Sequence, residues 1–206
     1  MICTLCGSTL INKKDAYFYD CGTCRALVKD DTYYLTAAEE KAEYDLHNND
    51  VHDVRYQQFT MPITAYVLDH FLPAHKGLDF GSGPGPVISS MLKKQGYDIV
   101  QYDPFFAPNQ KVLGHKYDYI VSCEVFEHFH NPKMEIDRLT SLLKPNGMLL
   151  IMTMLYADQI DFKTWNYRRD ATHVFIYRKE TIEYIANEKS LEIDTLTDRF
   201  IVLKKS

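Results

Sequence analysis

Apolar positions along the second half of the chain fall into short continuous runs separated by stretches of helical spacing. His75 to Phe80, Asp98 to Tyr102, Asp118 to Cys123 and Met148 to Met154 read as strands. Between them, Pro86 to Lys94 has helical spacing through Val87, Ile88, Met91 and Leu92, and Pro132 opens a helix running to Leu143, where Leu143-Lys144-Pro145-Asn146-Gly147 stops it. Glu180 to Glu188 predicts a further helix, with Leu191 to Thr197 and Phe200 to Leu203 as a terminal hairpin. Upstream, Ala37 to Asp50 has helix-forming composition with Thr36 as N-cap, and a second helix spans about Arg55 to Phe71. Alternation of strands and helices predicts an α/β fold on a mostly parallel sheet. The expected division is a small N-terminal module over 1–35, a helical cover over 36–72 and the α/β domain over 73–206.

The most informative junction is Gly81-Ser82-Gly83-Pro84-Gly85, which joins a predicted strand to a predicted helix. Glycines there let the backbone turn tightly and approach a ligand, and the helix N-terminus offers free N–H groups. A dinucleotide fingerprint needs a third glycine where Pro86 stands, and the Gly-Lys-Ser/Thr ending of a nucleoside-triphosphate loop is missing. Asp103, followed by Pro104, ends the next strand twenty-two residues past Gly81, about where a carboxylate meets a ribose in nucleotide-binding βαβ units. Only fourteen residues separate Asp103 from Asp118, too few for a full crossover, so one edge strand and its helix are expected to be shortened or lost. Phe105 and Phe106 then either cover a nucleobase face or pack the sheet edge.

With Asp79 two residues before the first glycine, this turn resembles motif I of the class I S-adenosylmethionine-dependent methyltransferases. YDYIVSCEVFEHFHNP and LLKPNGMLLIMT resemble later segments of the same superfamily. The resemblance implies a Rossmann-like sheet and a cofactor site made of Asp79, Gly81, Ser82, Gly83, Pro84, Gly85, Asp103, Pro104 and Glu124. It also implies an N-terminal helix over the cofactor, bringing in Tyr44, His47 and Asn48; Tyr44 and His47 share a helix face. Trp165-x-Tyr-Arg-Arg-Asp-x-Thr-His-Val resembles a group of methyltransferases that share the N-terminal cysteine pairs. This stretch is expected to form a lid on the acceptor side, with Trp165, Tyr167, Arg168, Arg169 and Asp170 meeting substrate. Methyl transfer from a sulfonium needs a base only when the acceptor carries a proton, and His173 or His128 is placed to serve.

Cys3-x2-Cys6 and Cys21-x2-Cys24 flank a hairpin-length spacer, a pattern that suits a closed tetrahedral zinc site of structural type. Redox pairs or a disulfide clip are the alternatives. Gly7 and Gly22 follow the first cysteine of a pair or the second and suit knuckle turns, and Cys123 reads as a packed small hydrophobe.

Composition alters this picture little. The chain has 206 residues, 46% hydrophobic and 25% charged, with no apolar run long enough to span a bilayer and no leader-like start, so a cytoplasmic location is expected. A net charge of -5 disfavours a broad nucleic-acid footprint and favours a small-molecule acceptor. A zinc-ribbon RNA methyltransferase, with Lys13, Lys14 and Arg25 on the ribbon, and a non-catalytic cofactor-binding regulator stay open as alternatives.

Overall fold

The structure is a computed structural model that describes residues 1–46 and 50–206. Its N-terminal module is built from β1 (Asn12–Lys13), β2 (Phe18–Asp20) and β3 (Leu27–Lys29). Then α1 (Ala37–Asp45) starts at a reciprocal cap, in which the Glu39 N–H donates to Thr36 Oγ1 and the Thr36 N–H donates to the Glu39 carboxylate. This helix is shorter than expected, and Asp50 lies in non-helical chain before Asp53 caps α2 (Val54–His70).

The α/β part follows as β4 (Lys76–Phe80), α3 (Val87–Lys94), β5 (Asp98–Tyr102), β6 (Tyr117–Cys123), α4 (Pro132–Leu142) and β7 (Leu143–Met152). It closes with α5 (Asn166–Arg169), β8 (Phe175–Ile176), α6 (Lys179–Lys189), β9 (Leu191–Leu196) and β10 (Phe200–Lys205). Six strands make one sheet in the order β5-β4-β6-β7-β10-β9, parallel from β5 to β7, with β10 antiparallel to both neighbours. β7 begins five residues earlier than the apolar run suggests. Leu143 already pairs with Tyr117, and the register then shifts across the Lys144–Gly147 bulge, where Asn146 has φ 60°.

The central strands are apolar on both faces because both faces are covered. Ile63, Val67, Val87, Ile88 and Leu92 of α2 and α3 pack with Tyr119, Val121, Leu150, Met152 and Val202. On the other side, Ile136, Leu139, Ile182 and Ile185 of α4 and α6 pack with Leu78, Phe80, Ile120, Leu149, Ile151 and Ile201. Between β5 and β6 there is a single 3-10 turn, Gln110–Gly114, so β5 is the sheet edge, as the short spacing predicts.

The cysteine-bearing module is stitched to the rest of the chain. β3 pairs antiparallel with β8, giving a second sheet in the order β1-β2-β3-β8, and Cys3, Cys21, Cys24 and Val28 belong to the same core as Leu78 and Phe175. Three charged contacts reinforce the seam: the Arg168 Nε–H donates to Asp15 at 2.8 Å, Arg178 donates to Asp20 at 2.8 Å, and the Lys29 ammonium donates to the Ala171 carbonyl at 2.6 Å. Arg168 also lies over the rings of Tyr17 and Phe18.

Burial pushes the Asp15 carboxyl up, but the N–H groups of Tyr17 and Phe18 together with Arg168 hold it below the usual carboxylate range. Removing the guanidinium leaves that carboxylate buried without its cation. Arg168→Ala should therefore lower stability by about 2–3 kcal/mol, read from the denaturant midpoint. Because the folded carboxyl pKa is depressed, its contribution is present above the unfolded value near 4 and fades as pH falls below it. The variant should thus lie closest to wild type in acid, and an equal gap at all pH values would contradict this account.

Candidate functional site

A cavity of about 850 Å³ opens at the C-terminal ends of β4, β5 and β6, the crevice where doubly wound sheets bind ligands. Gly81, Ser82, Gly83 and Pro84 form one wall, with Asp103 and Pro104 at the end of β5 beside them. Both Asp103 carboxylate oxygens are used. Oδ2 accepts from the Gly83 N–H at 2.9 Å, while Oδ1 accepts from the N–H groups of Phe105 and Phe106 at 2.8 and 2.9 Å. The carboxylate ties the glycine turn to the turn after β5 and keeps lone pairs for a ligand hydroxyl. Phe105 and Phe106 line the cavity, and Tyr44 from α1 bridges its halves, with its ring 5.8 Å from Phe105 and 5.4 Å from His128.

Several residues expected in the cofactor set stand elsewhere. Asp79 faces α3, where Ser89 Oγ donates to it at 2.7 Å, and burial raises its carboxyl to about 6; it supports the turn from beneath without lining the cavity. Gly85 also lies off the wall, because the chain is already turning into α3. His47 and Asn48 lie outside the described residues. Glu124 does line the cavity, at φ 51° immediately after β6. Burial first, then the neighbouring Glu127, raises its carboxyl to about 8. A non-glycine residue in this conformation stores strain of a kind found at functional sites.

The other half of the cavity takes Asn166, Tyr167, Asp170 and His173 from the segment after β7 and His128 from the 3-10 turn after β6. His128 and His173, weighed separately in the sequence, are neighbours with ring centroids 4.8 Å apart. Their Nδ1 atoms face carbonyls, of Thr172 at 3.1 Å and of Tyr167 at 2.6 Å. A carbonyl only accepts, so Nδ1 carries the hydrogen in both rings, and the neutral tautomer leaves Nε2 as a lone pair. Burial lowers the His173 pKa. Beneath the pair sits Glu127, fully buried. Its Oε2 accepts from Thr153 Oγ1 at 2.9 Å, and Thr153 shares a 2.8 Å hydrogen bond with the Tyr167 hydroxyl.

Three residues expected to meet substrate are corrected by this geometry. Trp165 packs on Tyr156 and Tyr167, Arg168 is turned away into the seam with Asp15, and Arg169 is exposed on the outer side. In a one-turn helix, side chains of consecutive residues diverge, so Tyr167 can face the cavity while its neighbours cannot.

Sequence reasoning passed over Glu127, Glu40, Tyr56, Phe59 and His130. Glu127 had a signal, a carboxylate adjoining His128 just past a buried strand. Glu40 reaches the cavity from α1 and Tyr56 and Phe59 from α2, while His130, in the turn before α4, has its Nε2 2.7 Å from Glu40. Cys123, read as a packed hydrophobe, also borders the cavity.

At the N-terminal module, Cys3 Sγ lies 3.6 Å from Cys24 Sγ and Cys6 Sγ lies 3.5 Å from Cys21 Sγ, with all four sulfurs within 4.8 Å of one another. Disulfides are excluded at those separations, whereas ligands of a tetrahedral zinc with ~2.3 Å bonds stand about 3.8 Å apart. Matching turns present the two pairs: the Gly7 N–H donates to the Cys3 carbonyl and the Arg25 N–H to the Cys21 carbonyl, both at 2.9 Å. The left-handed residues are Gly7 and Arg25, so the knuckle role expected of Gly22 falls to Arg25.

Sheet order, the glycine turn and a carboxylate at the end of the second strand define a class I methyltransferase architecture. A sequence profile described as "Methyltransferase domain" matches residues 51–196, and the chain belongs to that family. A curated relative, ubiquinone biosynthesis O-methyltransferase of Histophilus somni (strain 2336), is 30% identical over 93 residues; the match spans 43% of this chain and 37% of the relative's length. Similar solved folds include magnesium protoporphyrin IX methyltransferase from Synechocystis PCC 6803 with bound S-adenosylhomocysteine. It has a TM-score of 0.56 and 17% identity, over 85% of this chain and 97% of that one. Another is the Burkholderia thailandensis 1,6-didemethyltoxoflavin-N1-methyltransferase, with a TM-score of 0.57 and 15% identity over 95% and 98%. No helix among the described residues is long and apolar enough to cross a membrane.

The turn tolerates no side chain at its first position. Gly81 has φ +77°, and a Cβ there would stand 2.4 Å from Cγ2 of Val125, on the cavity wall. Gly81→Ala should lower the denaturant-derived stability by about 1–3 kcal/mol; wild-type stability would refute the tight approach of the two loops.

Proposed function

We propose that the protein transfers a methyl group from S-adenosylmethionine to a small-molecule acceptor. The observation that carries this reading is the two-ended cavity, with the glycine turn and Asp103 at one end and a histidine pair above a buried glutamate at the other. In this reading Asp103 and the turn hold the ribose and amino-acid parts, and Phe105, Phe106 and Tyr44 enclose the base. The acceptor lies against His128, Tyr167, Asp170 and His173. The S–CH3 bond breaks as the bond from methyl carbon to acceptor forms, and the sulfonium leaves as a neutral thioether. Any proton on the acceptor atom passes to the histidine pair. Among the described residues that line the cavity only Arg138 is a lysine or arginine, against the carboxylates of Glu40, Asp103, Glu135 and Asp170. That wall suits the cationic donor and repels a polyanion, which favours a small acceptor over RNA.

We propose further that the four cysteines hold one zinc ion. Four thiolates close its coordination sphere, so the ion would supply folding energy and no chemistry.

Calorimetry should show binding of S-adenosylmethionine by wild type and a loss of roughly 10- to 100-fold for Asp103→Ala, since its charge-assisted hydrogen bonds are worth about 1.5–3 kcal/mol. His173→Ala should instead depress turnover by 100-fold or more, on the order of a lost acid-base group, at nearly unchanged cofactor affinity. Absence of cofactor binding by wild type, or equal effects of the two variants on affinity, would overturn the assignment.

A further inference from the structure

Glu127, buried beneath the cavity wall, is the least explained residue near the site. It is completely buried, and Oε1 has no hydrogen-bond partner. That oxygen lies 4.0 Å from Nε2 of His128 and 4.0 Å from Nε2 of His173. With both Nδ1 atoms donating to carbonyls, Glu127 Oε1 and the two Nε2 atoms are three acceptors facing one another, with the Glu124 carboxyl, which Glu127 helps to raise, close by. A buried carboxylate oxygen left without a donor is costly unless a cation or donor satisfies it.

We propose that Glu127 Oε1, His128 Nε2 and His173 Nε2 form a binding site for a divalent transition-metal ion, distinct from the four-cysteine site. The three ligand atoms lie within 4.8 Å of one another, and a contraction of about an ångström brings them to the spacing of ligands held at roughly 2.0–2.2 Å from a shared ion. The supporting contacts are those expected of a metal centre. Each imidazole is oriented by a backbone carbonyl through its other nitrogen, and the carboxylate is oriented by Thr153, itself held by Tyr167. Two imidazoles and one carboxylate select zinc, iron(II) or cobalt(II) over magnesium or calcium, which prefer oxygen.

Both histidines border the cavity, so the open coordination positions face the acceptor chamber. This deepens the methyltransferase reading and rests on it for function: the acceptor class becomes one with oxygen atoms that can bind a metal. A coordinated hydroxyl is more acidic than a free one, so the ion would do the work assigned above to a free imidazole and release the proton to water.

The test is metal binding by the full-length protein, read without any turnover assay. Under cobalt(II) titration, wild type should take up about two equivalents, one with intense sulfur-to-cobalt absorption and one with only weak visible bands of nitrogen and oxygen ligation. Glu127→Gln and His128→Ala should each keep the first and weaken the second by at least about 100-fold. Should either variant fail to fold, anomalous scattering from cobalt-soaked wild-type crystals decides the matter, with a peak expected between the three side chains. A single thiolate-type equivalent in wild type, or no anomalous peak at the cluster, would overturn the site while leaving cofactor binding by Asp103 untouched.

Discussion

The pairing of β3 with β8 is the constraint on which the histidine-bearing half of the cavity depends. Val28 and Leu27 lie opposite Phe175 and Ile176, and the Lys29 N–H donates to the Val174 carbonyl. The segment after β7 is long and carries only a one-turn helix, so it has little regular structure of its own to fix Tyr167, Asp170 and His173. Its order comes from the cysteine module on one side and from the turn after β6 on the other, where the Val174 N–H donates to the Glu127 carbonyl. A strand pairing on one side and a backbone hydrogen bond on the other therefore hold the segment that places His173 beside His128.

This arrangement explains why a protein with a complete α/β core would keep a module too small to build a core of its own. Modules of this size need staples, and the proposed four-thiolate metal site would supply one. On the proposed reading the ion lies far from the chemistry in role yet near it in consequence, since it sets the shape of β3 and β3 sets the lid. The half around the glycine turn differs in kind. Its geometry is carried by parallel strands and by the Asp103 carboxylate clasping two turns, and neither that clasp nor the core on the α2–α3 side includes a residue of the module.

Much of this fold is legible in the sequence because the central strands carry unbroken apolar runs and the helices between them carry clean periodicity. Asp98–Tyr102 is found with its ends unchanged, and the lost edge strand follows from a residue count alone. Legibility fails where tertiary contacts decide direction. Trp165, Arg168 and Arg169 have the composition of a binding loop, but Asp15, distant in sequence, draws Arg168 outward. Asp79 carries the motif position, yet its carboxylate turns to Ser89 because the strand end is buried there. Glu127 escaped notice because a glutamate after a strand is ordinarily solvated, and only the folded chain reveals that it is enclosed beneath two histidines. The separation of 1–35 from 73–206 follows composition shifts, which carry no information about the strand pairing across that boundary.

The claim that the cysteine module holds the acceptor-side segment in place is tested most directly by amide hydrogen exchange on the full-length protein, comparing wild type with Cys24→Ser and with chelator-treated wild type. The amides of Lys29 and of the stretch from Tyr167 to Tyr177 should lose protection together, opening as one local unit, while β4 and β6 keep theirs. Unchanged protection over 167–177 once the thiolate cluster is broken would show that the segment stands without the module and would contradict the account.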